Sequence, residues 1–208
     1  RIFAGTVDAR LLALDARSGV PTITGTVTED QTLTATTGGI ADADGLGAFS
    51  YQWLRDGVAV GGATASTYLL GNADVGTQIS VTVNYTDGQG TAESLTSAQT
   101  AAVANANDAP VGIPTISGTV TEDQTLTAVT AGISDADGLG AFSYQWLRDG
   151  VAVGGATAST YLLGDADVGT QISVTVSYTD GQATAESLTS TQTAAVANAN
   201  DAPVGIPT

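Results

Sequence analysis

The nonapeptide Phe49-Ser-Tyr-Gln-Trp-Leu-Arg-Asp-Gly57 returns letter for letter as Phe142-Ser-Tyr-Gln-Trp-Leu-Arg-Asp-Gly150, and each copy holds one of the chain's two Trp. Trp53 and Trp146 lie 93 residues apart, as do Pro21 and Pro114, Glu29 and Glu122, and Asp87 and Asp180. A period of that length means that one supersecondary unit has been copied, so a fold must be found for one unit and then strung together. A unit of this size can bury a single core without disulfide or metal staples. The period divides the chain into a non-repeat segment 1–20, a first unit 21–113, a second unit 114–206 and the residues 207–208. Because Pro207-Thr208 restarts the unit, the chain reads as a stretch of a longer array.

Within the first unit, apolar and polar residues alternate in short runs separated by turn residues. Thr22–Val27, Thr32–Thr36, Phe49–Arg55, Val58–Val60, Ser66–Leu70, Gln78–Tyr85 and Thr91–Gln99 read as strands, the last extended through Thr100–Val103. Asp56-Gly57 and Asp87-Gly88 are hairpin signals, and both acids are assigned to those turns. Gly38-Gly39, Asp42-Ala-Asp-Gly-Leu-Gly47 and Asn72-Ala-Asp-Val-Gly76 read as loops. No stretch carries a helical period, so each unit is expected to be an antiparallel β-sandwich.

Composition removes whole classes of chemistry. Cys, His and Lys are absent. There is then no disulfide framework, no Cys/His zinc site, no His-assisted nucleophile and no Schiff-base lysine. The formal charge is −16, and each unit has a single Arg against nine or ten acids. Such a surface repels phosphate backbones and anionic membranes and favours a cation as partner. No apolar run approaches the roughly 20 residues that span a bilayer. The expectation is a non-enzymatic protein with neither nucleic-acid binding nor membrane insertion.

Tyr51-Gln-Trp-Leu-Arg-Asp-Gly57, followed by Gly62-Ala-Thr-Ala-Ser-Thr-Tyr68 and Ala73-Asp-Val-Gly76, resembles an immunoglobulin-like module. The resemblance implies that Trp53 sits in the core between two sheets and that an Asp-x-Gly turn opens the sixth strand. The paired cysteines of that family are missing; Leu33 or Ala35 and Ile79 or Val81 are expected in their places. The corner Tyr is missing too, with Gln78 and Ile79 at its position. Over 21–206 the two units more closely resemble the immunoglobulin- or cadherin-like repeats of very large secreted bacterial adhesins, including those exported with RTX-type signals. The fold class expected is all-β, two tandem antiparallel immunoglobulin-like β-sandwiches.

The acids gather in loops: Glu29-Asp30, Asp42-x-Asp44, Asp74, Asp87 and Asn105-Ala-Asn-Asp108. Calcium takes six to eight oxygen ligands from carboxylates, amides and carbonyls, which such loops supply. Asn105-Ala-Asn-Asp-Ala-Pro110 is similar to the cadherin linker motif, which binds calcium with a Glu and an Asp-x-Asp pair of adjoining loops. By that resemblance the candidate ligands are Glu29, Asp30, Asp42, Asp44, Asn105, Asn107 and Asp108. Their counterparts are Glu122, Asp123, Asp135, Asp137, Asn198, Asn200 and Asp201. Asn105, Asn107 and Asp108 are expected to meet Glu122 and Asp123 of the following unit and to stiffen the link. Against this stands a purely structural reading, in which Asp42-Ala-Asp-Gly45 forms Asx turns and Glu29-Asp30 is a polar hairpin tip. Arg55 is expected to pair with a nearby acid or pack against Tyr51.

The first nineteen residues have no counterpart in the repeats by this reading. Ile2–Ala4 and Leu11–Leu14 flank Val7-Asp-Ala-Arg10 and suggest a hairpin, or a strand free to pair with a sheet edge of this or a neighbouring chain. The stretch also resembles a fragment of one blade of the quinoprotein dehydrogenase propeller. Nothing after Gly19 continues a blade, so no dehydrogenase activity is inferred.

The two units differ at eight positions: Thr24/Ser117, Thr36/Val129, Gly38/Ala131, Ala41/Ser134, Asn72/Asp165, Asn84/Ser177, Gly90/Ala183 and Ala98/Thr191. None changes a candidate ligand. Near-identity suits an array whose length is the useful quantity. The function expected is that of extender repeats in an extracellular or cell-surface bacterial adhesin or biofilm matrix protein, stiffened by calcium at unit junctions, with neighbouring repeats as partners. The alternatives are a carbohydrate- or protein-binding module, and a fibre subunit assembled by strand addition through residues 1–20.

Overall fold

The computed structural model describes residues 17–200 and divides the chain into two compact units, Arg1–Ala106 and Asn107–Thr208. In the first, β1 (Arg17–Ser18), β2 (Thr22–Thr24), β3 (Thr32–Thr36), β4 (Ala41–Asp42), β5 (Ser50–Arg55), β6 (Val58–Ala59), β7 (Thr67–Leu69), β8 (Ile79–Thr86) and β9 (Ala92–Thr96) follow one another. A 3-10 turn at Asn72–Asp74 separates β7 from β8. All described strand pairs are antiparallel, in a three-stranded sheet β2-β3-β7 and a four-stranded sheet β6-β5-β8-β9.

The alternation predicted from the sequence decides which face is buried. Leu33 and Ala35 of β3 and Ile79, Val81, Val83 and Tyr85 of β8 point inward, with Trp53 fully buried among them. Leu33, Ile79 and Val81 thus occupy the space expected of the missing cysteines. The Trp53 indole stacks on Tyr68 with ring centroids 5.5 Å apart and donates its Nε1–H to the Ala65 carbonyl at 2.9 Å. Tyr51, expected at the margin of the core, packs against it partly buried.

Some strand ends differ from expectation. The first strand stops at Thr24, where Gly25 takes φ 128° and a Cβ would lie 2.7 Å from the Thr32 carbonyl oxygen. The last strand does not run straight through Thr100–Val103. After Thr96 the chain leaves the ladder, and residues 102–104 bridge Gln78, Val75 and Thr28 instead, burying Val103.

The second unit repeats the plan with β10 (Thr115–Ser117), β11 (Thr125–Val129), β12 (Ser143–Arg148), β13 (Val151–Ala152), β14 (Thr160–Leu162), β15 (Ile172–Thr179) and β16 (Ala185–Thr189). Its sheets are β10-β11-β14 and β13-β12-β15-β16, closed over Trp146, Leu126, Ile172, Val174 and Val176.

The tail of the segment set apart from the repeats belongs to the first unit. β1 pairs with β4, Arg17 opposite Asp42 and Ser18 opposite Ala41; in the second unit Val111 bridges Ser134 at the same place. Gly19 and Gly112 have φ 80° and 91°, and a Cβ on either would lie about 2 Å from the carbonyl oxygen of Gly39 or Gly132. With that register known, Asp15-Ala-Arg-Ser-Gly-Val-Pro21 aligns with Asp108-Ala-Pro-Val-Gly-Ile-Pro114. The hairpin expected earlier in the segment lies outside the described residues.

One of the eight differences carries a conformational cost. Gly90 in the β8–β9 hairpin has φ 90°, and Ala183 at the matching position has φ 71°. Left-handed backbone costs an L-residue about 1–2 kcal/mol, partly offset by the smaller entropy that Ala loses on folding. Ala183→Gly is expected to stabilise the second unit by about 0.5–1 kcal/mol. The check is the denaturation midpoint read from Trp146 fluorescence in a Trp53→Phe background.

Candidate metal centre

At the N-terminal end of the first unit, the β4–β5 loop faces the β8–β9 hairpin. Asp42 Oδ1 accepts the Asp44 amide at 2.9 Å, an Asx turn, and Gly45 N–H reaches the Asp42 carbonyl at 3.2 Å. Asp42 Oδ2 accepts the Tyr85 hydroxyl at 2.8 Å. The hairpin is shaped by Asp87, whose Oδ1 accepts the amides of Gln89 and Thr91, each at 2.8 Å. Gly88 N–H then donates to the Asp44 carbonyl at 3.0 Å, an approach so close that a Cβ there would lie 2.3 Å from that oxygen. The outcome is that carboxylate oxygens of Asp42, Asp44 and Asp87, all half-buried, lie within 4.8 Å of one another. Backbone donation from Thr91 and then Gln89 holds the Asp87 carboxyl below the usual carboxylate range, with burial opposing.

The second unit uses the same bonds. Asp135 Oδ1 accepts the Asp137 amide at 2.9 Å and its Oδ2 accepts the Tyr178 hydroxyl. Asp180 Oδ1 accepts the amides of Gln182 and Thr184 at 2.9 and 2.7 Å, and Gly181 N–H donates to the Asp137 carbonyl at 3.0 Å. Two residues of the preceding stretch arrive here: Asp108 N–H donates to Asp137 Oδ2 at 2.8 Å, and Asn107 Nδ2 donates to Glu186 Oε1 at 3.0 Å. Burial, followed by the bond to Asp135 and the charges of Glu186 and Asp180, pushes the Tyr178 hydroxyl well above its ordinary range.

The remaining candidates sit at the other end of each unit. Glu29, 1% exposed, sends its N–H to the Ala104 carbonyl and accepts the Ala106 amide on Oε2 at 3.4 Å. Glu122 does the same with Ala197 and Ala199, the latter at 3.1 Å. These glutamates tie down the end of their own sandwich. Asp30 and Asp123 are exposed turn residues at φ 60° and 62°, donating to the Leu70 and Leu163 carbonyls at 3.0 Å. Within a unit, β3 stands between Glu29 and Asp42; five residues at about 3.3 Å each put roughly 16 Å between the two acidic groups. One ion cannot bridge that distance.

The expected meeting of Asn107 and Asp108 with Glu122 and Asp123 is therefore replaced. Asp108 goes to Asp137 and Asn107 to Glu186, while Glu122 is engaged with Ala199 at the far end of β11. Asn105 is half-buried; Asn198, exposed, donates from Nδ2 to the Ala199 carbonyl at 2.9 Å, and Asn200 is exposed as well. Asp201 lies outside the described residues.

Sequence reasoning placed Asp87 and Asp180 only in hairpins. The structure brings Asp87 into a carboxylate group with Asp42 and Asp44, a second use that the strong local Asp-Gly hairpin signal hides. It also takes Asp74 out of the loop acids. That side chain, 2% exposed, pairs with Arg55 at 2.7 Å, accepts the Tyr68 hydroxyl at 3.0 Å and accepts the Gly71 amide at 3.0 Å. Asp167 holds Arg148, Tyr161 and Gly164 likewise. Arg148, the single basic residue of 114–206, is thus committed to Asp167, and no basic side chain of the described part of that unit compensates Asp135, Asp137, Asp180 and Glu186.

No family model matches the sequence, and no curated protein matches it. Among solved structures the chain is similar to the three N-terminal domains of the highly immunogenic outer capsid protein (Hoc) of bacteriophage RB49, at 18% identity and a TM-score of 0.30. That match covers 83% of this chain and 59% of the other, so the chain spans under two thirds of its length. The fibronectin(III)-like modules of CbhA from Clostridium thermocellum align at 15% identity over 85% of this chain and 95% of theirs, with a TM-score of 0.28. The tandem Ig repeats of Dlar align at 11% identity over 85% and 97%, with a TM-score of 0.21.

The strand order and the Trp-centred core of each unit decide the class. The chain is a tandem of immunoglobulin-like sandwiches. Among the concavities of the described residues is one along β6 bordered by Arg55, Asp56, Val58 and Val60. No helix among the described residues is long and apolar enough to cross a membrane.

Proposed function

We propose that the chain is a pair of structural extender repeats from an extracellular bacterial protein, an adhesin or biofilm matrix component, acting without catalysis. The observation that carries this reading is the pairing of near-identical sandwiches whose eight differences spare every carboxylate at their ends. Each sandwich packs Trp and most of its other aromatic residues into or against its core, which suits a spacer. Surface acids keep such a repetitive array soluble.

Calcium is the second part of the proposal. A hard divalent cation at unit junctions would neutralise like charges and restrict the short link around Ala109–Pro114. Small-angle scattering of the full chain, first with millimolar calcium and then with excess chelator, tests it. The expected result is a broader distribution of interdomain distances after chelation. A profile that chelation leaves unchanged removes the calcium part and leaves a plain acidic spacer.

A further inference from the structure

Each sandwich takes in the chain and releases it through two segments that run side by side in the same direction. Thr28 bridges Ala104 in parallel in the first unit, and Thr121 bridges Ala197 in parallel in the second. Tension on the chain pulls the entering segment backward along this shared axis and the leaving segment forward. Parallel neighbours loaded in that way must slide past each other, so their hydrogen bonds break together rather than one at a time. We propose that each unit is built to bear tension, with the leaving segment as its load-bearing contact and the buried carboxylates of Glu29 and Glu122 as its latches. Load bearing deepens the extender reading and rests on it, because a spacer between two anchored points is a tether.

The leaving segment is gripped from both sides. Ala104 N–H donates to the Val27 carbonyl at 3.0 Å, and the Ala104 carbonyl accepts the Glu29 amide at 2.9 Å. On the opposite side Val103 N–H donates to the Thr77 carbonyl and its carbonyl accepts the Gly76 amide, each at 2.9 Å. Val75 and Val103 are again bridged in parallel, and the buried Val103 side chain belongs to the core. The second unit repeats these bonds with Ala197 between Val120 and Glu122, and Val196 between Thr170 and Gly169.

Glu29 is where backbone and side chain hold the same neighbour. Besides its amide bond to Ala104, its Oε2 accepts the Ala106 amide at 3.4 Å, two residues further along the exit. Glu122 Oε2 accepts the Ala199 amide at 3.1 Å in the same way. Glutamate is almost never fully buried unless it is paired, yet both of these are buried at matching positions of the two units. A carboxylate makes a stronger hydrogen bond than a neutral acceptor, and burial keeps water from replacing the amide as the segments begin to part.

The entering side is anchored in turn. Asp30 N–H donates to the Leu70 carbonyl and Leu70 N–H to the Gln31 carbonyl, each at 3.0 Å, which ties the turn after Glu29 to the end of β7. Tension therefore acts on a carboxylate fixed to the sandwich by its own backbone and to the leaving chain by its oxygens.

The test is single-molecule stretching of the full chain from its two ends at constant force, in excess chelator so that no divalent cation contributes. Wild type is expected to give two ruptures, each releasing the contour length of one unit. Glu29→Ala is expected to raise the rupture rate of one unit by more than about tenfold and leave the other unchanged. Glu122→Ala should act likewise on the other unit, and the double variant on both. Glu29→Gln keeps the shape and an acceptor oxygen but loses the charge, so it folds where the alanine variant does not and is expected to give a smaller rise. Val83→Ala is the control, because Val83 is buried in β8 opposite Tyr51 and Leu95, away from the leaving segment. Urea midpoints give the equilibrium loss of every variant, so rupture rates are compared for the same loss of stability.

Two results overturn the proposal: glutamate variants that rupture like wild type, or a Val83→Ala unit whose rupture rate rises as much as theirs for the same equilibrium loss. A chain that stretches without resolved ruptures, yet scatters as an extended pair, removes load bearing and leaves the spacer. Latch-dependent ruptures in a chain that scatters as a compact pair remove the extender reading instead.

Discussion

Trp53→Ala is expected to destabilise the first unit by about 3–5 kcal/mol, against a total domain stability of roughly 5–15 kcal/mol. The indole is fully buried among Leu33, Val81 and the other core residues, and its loss would leave a cavity that two hydrogen-bonded sheets cannot collapse to fill. It would also strand the Ala65 carbonyl, which accepts the indole N–H, and the face of Tyr68 on which the ring stacks. The second unit should be unaffected, because its core is built from Leu126, Trp146, Ile172 and neighbours of its own. The variant retains Trp146 as its single Trp, so fluorescence-monitored denaturation follows the second unit while circular dichroism follows both. A wild-type-like single transition in circular dichroism would contradict this result.

Arg55→Met should be the next most damaging substitution, at about 3 kcal/mol. The reason is the asymmetry of the pair. Asp74 is 2% exposed, whereas the Arg55 side chain is 32% exposed. Removing Arg55 leaves a carboxylate in the interior with only the Tyr68 hydroxyl and the Gly71 amide as donors. Removing the charge of Asp74 instead leaves a guanidinium that water can reach. Asp74→Asn is therefore expected to cost less, about 1–2 kcal/mol, and the same order should hold for Arg148→Met and Asp167→Asn. Urea midpoints with an unchanged slope are the measurement; a larger loss for Asp74→Asn than for Arg55→Met would refute the ordering. The pair also raises the pKa of Arg55, chiefly through its hydrogen bond to Asp74.

Much of the fold was legible because the signals are local. Ile79, Val81, Val83 and Tyr85 alternate with polar residues, and a strand with period two has only one way to bury them. Trp53 is fully buried, as the resemblance to an immunoglobulin-like module implied. Two of the three acids of the carboxylate group were legible too, since Asp42-x-Asp44 is a local Asx motif. Asp87 was not. Its neighbours in space come from a loop some forty residues earlier, and Tyr85, which bonds Asp42 across a separation of 43, shows how the two segments are joined. Asp74 was misjudged for the same reason: its partner Arg55 lies 19 residues back, on another strand.

By itself the sequence determined the period, the strand-rich sandwich, the buried Trp and the exclusion of thiol, imidazole and amine chemistry. A period has no phase, however, and any starting point along 93 residues repeats equally well. Only the tertiary structure decided that Asn107, Asp108 and Val111 belong with the second unit, because their partners Glu186, Asp137 and Ser134 are found there. It likewise decided which acids share an end of the sandwich. Loop residues close in sequence, Glu29 and Asp42 among them, are sent to opposite ends by one intervening strand, while the hairpin that carries Asp87 is folded back onto the Asp44 carbonyl.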